Sequence, residues 1–308
     1  MTRWLNVLAP VVCVSWMAGA WAQNSYEPIA LRVACGGVST TACTKVLPRI
    51  AAQTVHAGVD LKPATGGIPL DSVTAVCDGQ AAAAVVQHDV IALFTSCKSR
   101  FDIVGRPLYP YYAFLVVRAD APFHQLDDMA SGKRRRVIMA GAEGTGGQIT
   151  LGFVLRSNPV LQRSIADTMG DPDVALQHVA DGSIDGFFAV EPLDSVTIDR
   201  VRRKADAHGK PLYAFIDIRP AQKFFQIGDG AGHCLYRLTA LDFGGTEPVT
   251  TVSLDAVMLL ARPFSDAHAR GGPRAADALA SAIDQAQTAI LADTRSPPDW
   301  HPVGTSCQ

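Results

Sequence analysis

The chain has 308 residues, with 27 basic and 29 acidic side chains and a formal charge of −2. Hydrophobic residues make up 48% of it and charged residues 18%, which excludes a disordered chain, a coiled coil and a polytopic membrane protein. The near-zero charge argues against nucleic-acid binding, because phosphate contacts need a basic surface. The length predicts about two domains, each large enough to bury a core.

The N-terminal segment, residues 1–22, has the pattern of a secretory signal peptide. Arg3 precedes an apolar run, and Ala20-Trp21-Ala22 places small residues at the two positions that cleavage requires. The segment therefore predicts an exported, periplasmic protein that is cleaved after Ala22. The alternative is a retained anchor, because the apolar run approaches the ~20 residues that span a bilayer.

Removing this segment leaves an even number of cysteines, which in an exported protein predicts disulfides. They are Cys35, Cys43, Cys77, Cys97, Cys234 and Cys307. Sequence proximity favours Cys35 with Cys43 and Cys77 with Cys97, so that Cys234 and Cys307 form the third pair. A metal site is the weaker alternative, because the sequence has no CxxC, HxH or HExxH motif.

Short aliphatic runs alternate with amphipathic segments along the mature chain, which predicts an α/β fold. Strands are predicted at 30–34, 59–64, 82–87, 112–118, 136–140, 184–190 and 211–216. Helices are predicted at 44–56, 69–77, 89–95, 147–157, 173–180, 192–205 and 273–292. The glycine-rich stretch 226–252 interrupts this alternation and predicts irregular structure or a hairpin.

Two segments are predicted to cross between lobes. Pro107-Leu-Tyr-Pro110, followed by an extended run, has the character of a strand that leaves one lobe, and residues 219–227 could form the return. This divides the chain into a first lobe of 23–118 plus 222–308 and an inserted second lobe of 119–221.

The loop from Cys35 to Cys43 is the first predicted ligand contact. The backbone N–H groups of Gly36 and Gly37 could approach an anion, and Ser39, Thr40 and Thr41 could add hydroxyl donors at a helix N-terminus. The alternative is a helix cap with a disulfide-closed turn.

A second loop, residues 141–148, also lies between a predicted strand and a predicted helix. Gly144, Thr145, Gly146 and Gly147 are its predicted ligand contacts. The loop departs from the dinucleotide spacing GxGxxG at Ile149 and has no P-loop lysine, so it predicts a carboxylate or phosphate rather than a nucleotide.

Three further contacts are predicted at strand ends and at the crossing. Gln87 ends a strand, where open α/β sheets bind ligands, whereas Asp89 is predicted to cap the next helix. Glu191 could bind an amino group or hydroxyl, or could simply be a solvated first-turn residue. Tyr112 could cover a ligand or pack the hinge.

The order of these motifs resembles the TAXI-type solute-binding proteins of TRAP transporters. The matching segments are Leu31–Thr44, Thr65–Gly67, Val86–Asp89, Val117–Asp120, Leu126–Lys133, Arg136–Leu155, Asp181–Asp185, Thr251–Leu260 and Trp300–Gly304. The resemblance spans nearly all of the mature chain. It implies the type II periplasmic-binding-protein fold, in which two α/β lobes are joined by a crossing-strand hinge and hold the ligand cleft between them.

The resemblance also implies a function without catalysis, cofactor or metal. The protein would capture a small anionic solute, an organic acid or an amino acid, and deliver it to TRAP-type membrane permease subunits. One alternative is a ligand sensor or scavenger that partners a receptor. Another is a secreted enzyme on the same scaffold, for which Ser39, His88 and Glu191 are the candidate catalytic residues.

Overall fold

The structure is a computed structural model that describes residues 28–36, 40–64, 67–229, 234–243, 247–268, 272–297 and 300–302. The predicted signal peptide and the predicted contacts Gly37 and Ser39 lie outside these residues. Within the described ranges, no helix is long and apolar enough to cross a bilayer.

Eleven strands are present in the described chain. They are β1 (Ile29–Ala34), β2 (Val59–Ala64), β3 (Ala83–Gln87), β4 (Phe101–Val104), β5 (Pro110–Arg118), β6 (Arg136–Met139), β7 (Ile165–Thr168), β8 (Gly186–Glu191), β9 (Tyr213–Ile216), β10 (Arg237–Leu241) and β11 (Val249–Ala261). All belong to one mixed sheet with the main order β2-β1-β3-β11-β5-β8-β6-β7.

The α-helices cover both faces of this sheet. They are α1 (Leu47–Thr54), α2 (Pro69–Cys77), α3 (His88–Ile91), α4 (Gly146–Ser157), α5 (Pro159–Ser164), α6 (Pro172–Asp181), α7 (Val196–Arg203), α8 (Arg262–Ser265) and α9 (Ala275–Asp293). A π-helical turn, Ala42–Val46, leads into α1, and a 3-10 turn, Val55–Ala57, follows it.

The apolar residues form separate cores around the two halves of the sheet. In the first, Leu31 of β1 and Ile50 of α1 pack with Ile283 of α9. In the second, Leu115 of β5 packs with Val154 of α4. Because each half buries its own apolar face, the molecule has two α/β lobes that share a continuous sheet.

Strands β5 and β11 join the lobes. They run antiparallel at the junction, where Asp255 lies opposite Pro110 and Ser253 opposite Tyr112. The backbone N–H of Leu108 donates to the carbonyl of Ala256 at 2.8 Å, and the N–H of Ala256 donates to Tyr109 at 2.8 Å. The two chain crossings are therefore hydrogen-bonded to each other, which makes this pair the hinge.

The predicted boundaries between lobes stay a prediction, and the packing favours a different return point. Phe224, Leu235 and Val252 all lie in the core of the second lobe, although the prediction assigns 222–308 to the first. We propose that the second lobe extends to the hinge at 253–256. The sequence did not predict this return point, because the two chain crossings are far apart in the chain. Local hydrophobic patterns do not show which part of the sheet a later strand joins.

Most predicted elements are present, with shifted ends. The helix predicted at 192–205 begins later, at Val196, because the hydroxyl of Ser195 accepts the N–H of Thr197 and caps α7. The stretch 226–252 contains β10, which pairs antiparallel with β11 as a hairpin. The sequence analysis missed strands β4 and β7, which have four residues each.

Two of the predicted disulfides are formed. Cys35 is bonded to Cys43, with 5.4 Å between their Cα atoms, and Cys77 is bonded to Cys97, with 5.9 Å between theirs. The third pair, Cys234 with Cys307, stays a prediction, because Cys307 lies outside the described residues.

Candidate functional site

A cleft of about 1100 Å³ lies between the lobes. The first lobe contributes the loop after β1, the start of α2 and the end of β3, and the second contributes the loops after β6 and β8. The lining includes eight predicted contacts: Gly36, Thr40, Thr41, Gln87, Thr145, Gly146, Gly147 and Glu191. The structure therefore places these eight residues around one cleft, and their contact with a ligand stays a prediction.

The first loop uses its predicted donors internally. The N–H of Gly36 donates to the Ser72 hydroxyl at 3.2 Å, and the hydroxyl of Thr40 donates to the Cys35 carbonyl at 2.7 Å. The hydroxyl of Thr41 donates across the cleft to Asp194 at 3.1 Å. These groups are engaged by protein acceptors, so they hold the loop in shape before any solute binds.

The second loop brings backbone close to the first lobe. Gly144 has a left-handed φ of 75°, and a Cβ there would lie 2.5 Å from Ile68 Cδ1. At Gly146 a Cβ would overlap the Oε1 atom of Gln87. The hydroxyl of Thr145 donates to the Ala142 carbonyl at 2.7 Å. Glycine is thus required on this side because the lobes approach each other, in addition to any approach to a ligand.

Gln87 belongs to a buried polar cluster at the edge of the cleft. Its amide nitrogen donates to Asp89 at 3.0 Å and to the hydroxyl of Thr150 at 3.3 Å. Asp89 also accepts from Thr150 at 2.6 Å and from the Tyr236 hydroxyl at 2.8 Å. The predicted helix-capping role of Asp89 is wrong, because Gln87 occupies the N-cap position and the Asp89 carboxylate joins α3 to the second lobe.

Tyr112 does not line the cleft, although it was a predicted contact. Its ring is 1% exposed and packs with Phe114 and Ile198. Neighbouring residues of a strand face opposite sides, so Tyr111 faces the cleft instead. The hydroxyls of Tyr111 and Tyr109 lie 2.8 Å apart, and burial raises the pKa of Tyr111 to about 12.

Two carboxylates form the second-lobe wall of the cleft after β8. Glu191 ends the strand and Asp194 follows in the turn to α7, and both line the cleft. Burial raises the pKa of Glu191 to about 7; a hydrogen bond with Ser195 opposes this rise, and the charge of Asp194 adds to it. The sequence analysis missed Asp194, although it lies in the same strand-to-helix junction as Glu191.

Asp194 forms an ion pair across the cleft. Lys45, from the first lobe, places its Nζ atom 2.5 Å from Asp194 Oδ2. The Asp194 side chain is 1% exposed, and its other oxygen, Oδ1, is buried with no hydrogen-bond partner among the described residues. Sequence reasoning missed Lys45 too, because nothing in the first loop indicated what lies opposite it.

Further contacts hold the lobes together around the cleft. The N–H of Leu70 donates to the carbonyl of Gly144 at 3.4 Å, and Arg295 lies 3.1 Å from Asp199 of α7. Together with the Lys45–Asp194 pair, these contacts show that the lobes are closed on each other. This contact between the lobes brings charged groups of the two cleft walls together, as in the Lys45–Asp194 pair.

The described lining is predominantly acidic. Lys45 is its single cationic side chain, whereas its acidic side chains are Glu143, Asp171, Glu191 and Asp194. Asp171 is already engaged, since it caps α6 by accepting the N–H of Asp173 at 2.8 Å. Over the described ranges, no group of His, Cys, Asp and Glu side chains could hold a metal ion.

Searches among known proteins found similarity in structure alone. No protein-family model and no curated protein matches the chain. Solved structures share the fold at low identity. The ligand-binding core of the receptor GluR0 in complex with L-glutamate is 11% identical, with 87% of this chain and 98% of that chain covered at a TM-score of 0.53.

Two other solved structures match to a similar extent. A periplasmic sulfonate-binding protein from Methylobacillus flagellatus is 13% identical over 85% of this chain and 68% of its own, with a TM-score of 0.51. A Xanthomonas citri protein bound to ATP is 10% identical over 89% and 91%, also with a TM-score of 0.51. The predicted fold class is therefore confirmed: the chain has the two-lobed α/β fold of type II periplasmic binding proteins.

Proposed function

We propose that the protein is an extracytoplasmic solute-binding protein that captures a small organic acid or amino acid in the cleft and delivers it to a membrane transporter. The observation that carries this proposal is the cleft of about 1100 Å³ between two lobes, closed by contacts such as Lys45–Asp194 that form only when the lobes meet. A solute held there bridges both lobes and favours the closed form. Because only the closed form presents this joined surface, closure can signal occupancy to a partner.

The motif order supports a more specific partner. The resemblance of segments such as Leu31–Thr44 and Arg136–Leu155 to TAXI-type proteins leads us to propose TRAP-type permease subunits. The proposed location is the periplasm, with the signal peptide cleaved after Ala22. The exported setting agrees with the two disulfides, which persist in oxidising compartments.

The first test is thermal unfolding of the mature protein, residues 23–308, without reductant. Protein freed of co-purified ligand by unfolding and refolding is mixed with organic acids and amino acids. A solute at a hundred times its Kd should add about 2.7 kcal/mol of stability. A selective shift in Tm supports the proposal, and the absence of any shift across the whole series contradicts it.

Gly146→Ala tests whether the cleft performs this function. The new Cβ would overlap Gln87 Oε1 and hold the lobes apart, so solute affinity should fall at least tenfold while the protein remains folded. Gly152→Ala is the matched control on the same helix, because its Cβ would meet only the flexible end of Arg156 at 3.2 Å. Equal solute affinities for the two variants would contradict the proposal that the solute binds in this cleft.

A second candidate function is ligand sensing. It is favoured by the similarity to the GluR0 ligand-binding core, whose solved complex contains L-glutamate. Both functions need solute-driven closure, so the identity of the protein partner distinguishes them. Co-purification with a TRAP permease supports transport, and co-purification with a receptor supports sensing. Of the enzyme candidates, Ser39 lies outside the described residues, and His88 is buried and absent from the described cleft lining.

A further inference from the structure

We propose that the solute carries a protonated amino group, and that this ammonium binds at Glu191 and Asp194. The inference rests on the solute-binding function proposed above and narrows its solute class. It excludes simple organic acids as the preferred cargo and favours amino acids and other amines.

The argument begins with the donors that were predicted to hold an anion. The hydroxyls of Thr40, Thr41 and Thr145 already donate to Cys35, Asp194 and Ala142. The only cation of the described lining, Lys45, is paired with Asp194 at 2.5 Å and also donates to the Asp293 carbonyl at 3.1 Å. A carboxylate of the solute would therefore have to compete with these protein acceptors for the hydroxyl donors and for Lys45.

On the second-lobe wall, by contrast, a hydrogen-bond acceptor is left without a donor from the protein. Asp194 lines the cleft, and its Oδ1 atom is buried and has no hydrogen-bond partner in the described part of the chain. A buried acceptor left without a donor costs about 1–3 kcal/mol, so a donor from the solute would recover this loss. Glu191, three residues earlier, lines the same wall. A group with several N–H donors and a positive charge satisfies both.

The charge balance points to the same group. Of the two carboxylates after β8, Lys45 neutralises Asp194, which leaves the charge of Glu191, when it is ionised, beside Glu143 and Asp171 in the same lining. An ammonium offsets this negative charge, whereas an anion would add to it. The solute's own carboxylate, where present, fits the N-terminus of α4, where the N–H groups of Gly146 and Gly147 precede the first intrahelical donor, Ile149.

The test compares sets of compounds that differ in one group. Binding to ligand-free protein is measured by calorimetry for glutamate, α-ketoglutarate and γ-aminobutyrate, and for leucine, α-ketoisocaproate and isoamylamine. We expect an amine-bearing compound to bind at least tenfold more tightly than the keto acid of the same set. Glu191→Gln should weaken that binding at least tenfold, and Asp194→Asn should do the same.

Asp167→Asn is the matched control, because it removes an exposed carboxylate from the same lobe. It should change affinity less than threefold. A keto acid that binds as tightly as its amino acid, with no effect of Glu191→Gln, overturns the inference and leaves the solute-binding function intact. Protein that binds no compound of any set overturns both.

Discussion

Two buried acidic regions join the lobes, and they differ in what satisfies their carboxylates. Asp89 accepts hydrogen bonds from Gln87, Thr150 and Tyr236, all neutral donors supplied by the protein. Asp194 is paired with Lys45 on one oxygen and has no described partner on the other. A carboxylate whose donors are all internal stabilises the fold, whereas one with a spare acceptor facing a cleft is available to a solute.

The largest expected effect is at the internally satisfied region. Asp89→Ala would leave the donors of Gln87, Thr150 and Tyr236 without their acceptor in a buried site, so the free energy of unfolding should fall by more than about 3 kcal/mol. Denaturant unfolding with disulfides intact measures this. Asp167→Ala, at an exposed position, is the control. An equally small loss of stability for both variants would contradict the claim that the hydrogen bonds to Asp89 stabilise the fold.

The Lys45–Asp194 pair should contribute less. Lys45→Met would leave the buried Asp194 without its cation, and we expect a loss of about 1–3 kcal/mol in unfolding free energy. Arg49→Met, which removes an exposed pair with Asp293 one turn along the chain, should cost less than about 1 kcal/mol. If the two variants lose the same stability, burial of Asp194 does not set the strength of the pair.

Glu191 should give a smaller, pH-dependent effect. Its pKa rises from 4.5 to about 7 on folding, so its stabilising effect is fully present below pH 4.5 and is lost as the pH rises through about 7. We expect the free energy of unfolding to decrease by about 1–2 kcal/mol, because the side chain is half-buried and solvent screening weakens the effect of the pKa shift on stability. Glu191→Gln should remove this component from the pH profile of unfolding.

The charged and titratable groups around Glu191 also affect the pH dependence of unfolding. They are Asp194 in the same turn, Lys45 on the opposite lobe, Tyr111 on β5, and Tyr109 just before that strand. The pKa of Asp89 is also raised by burial and gives a stability change of the same sign. The relevant quantity is therefore the difference between the Glu191→Gln and wild-type profiles. Identical profiles would show that Glu191 titrates as an exposed carboxyl.

The smallest effect is expected for Tyr236→Phe. It removes one of the donors to Asp89 and keeps the ring, which stacks on Phe224 at 4.1 Å between centroids. The loss should be about 1 kcal/mol of unfolding free energy, far below that of Asp89→Ala. A loss as large as that of Asp89→Ala would mean that Tyr236 alone satisfies the carboxylate.

Much of this protein was determined locally by its sequence. Alternating aliphatic and amphipathic segments predicted the α/β class, and cysteine proximity predicted two disulfides that are formed. Glycine-rich loops between strands and helices predicted which segments meet at the cleft. These properties depend on short stretches of chain, so they can be predicted from a single sequence.

Only the tertiary structure decided the polarity of the cleft. Lys45 and Asp194 lie far apart in the chain, and no local pattern shows that closure pairs them across the lobes. The same holds for Tyr111, whose orientation depends on strand register, and for Asp89, whose donors come from distant elements. Which donors remain free for a solute is set by long-range packing, because each side chain is first satisfied by whatever the fold places beside it.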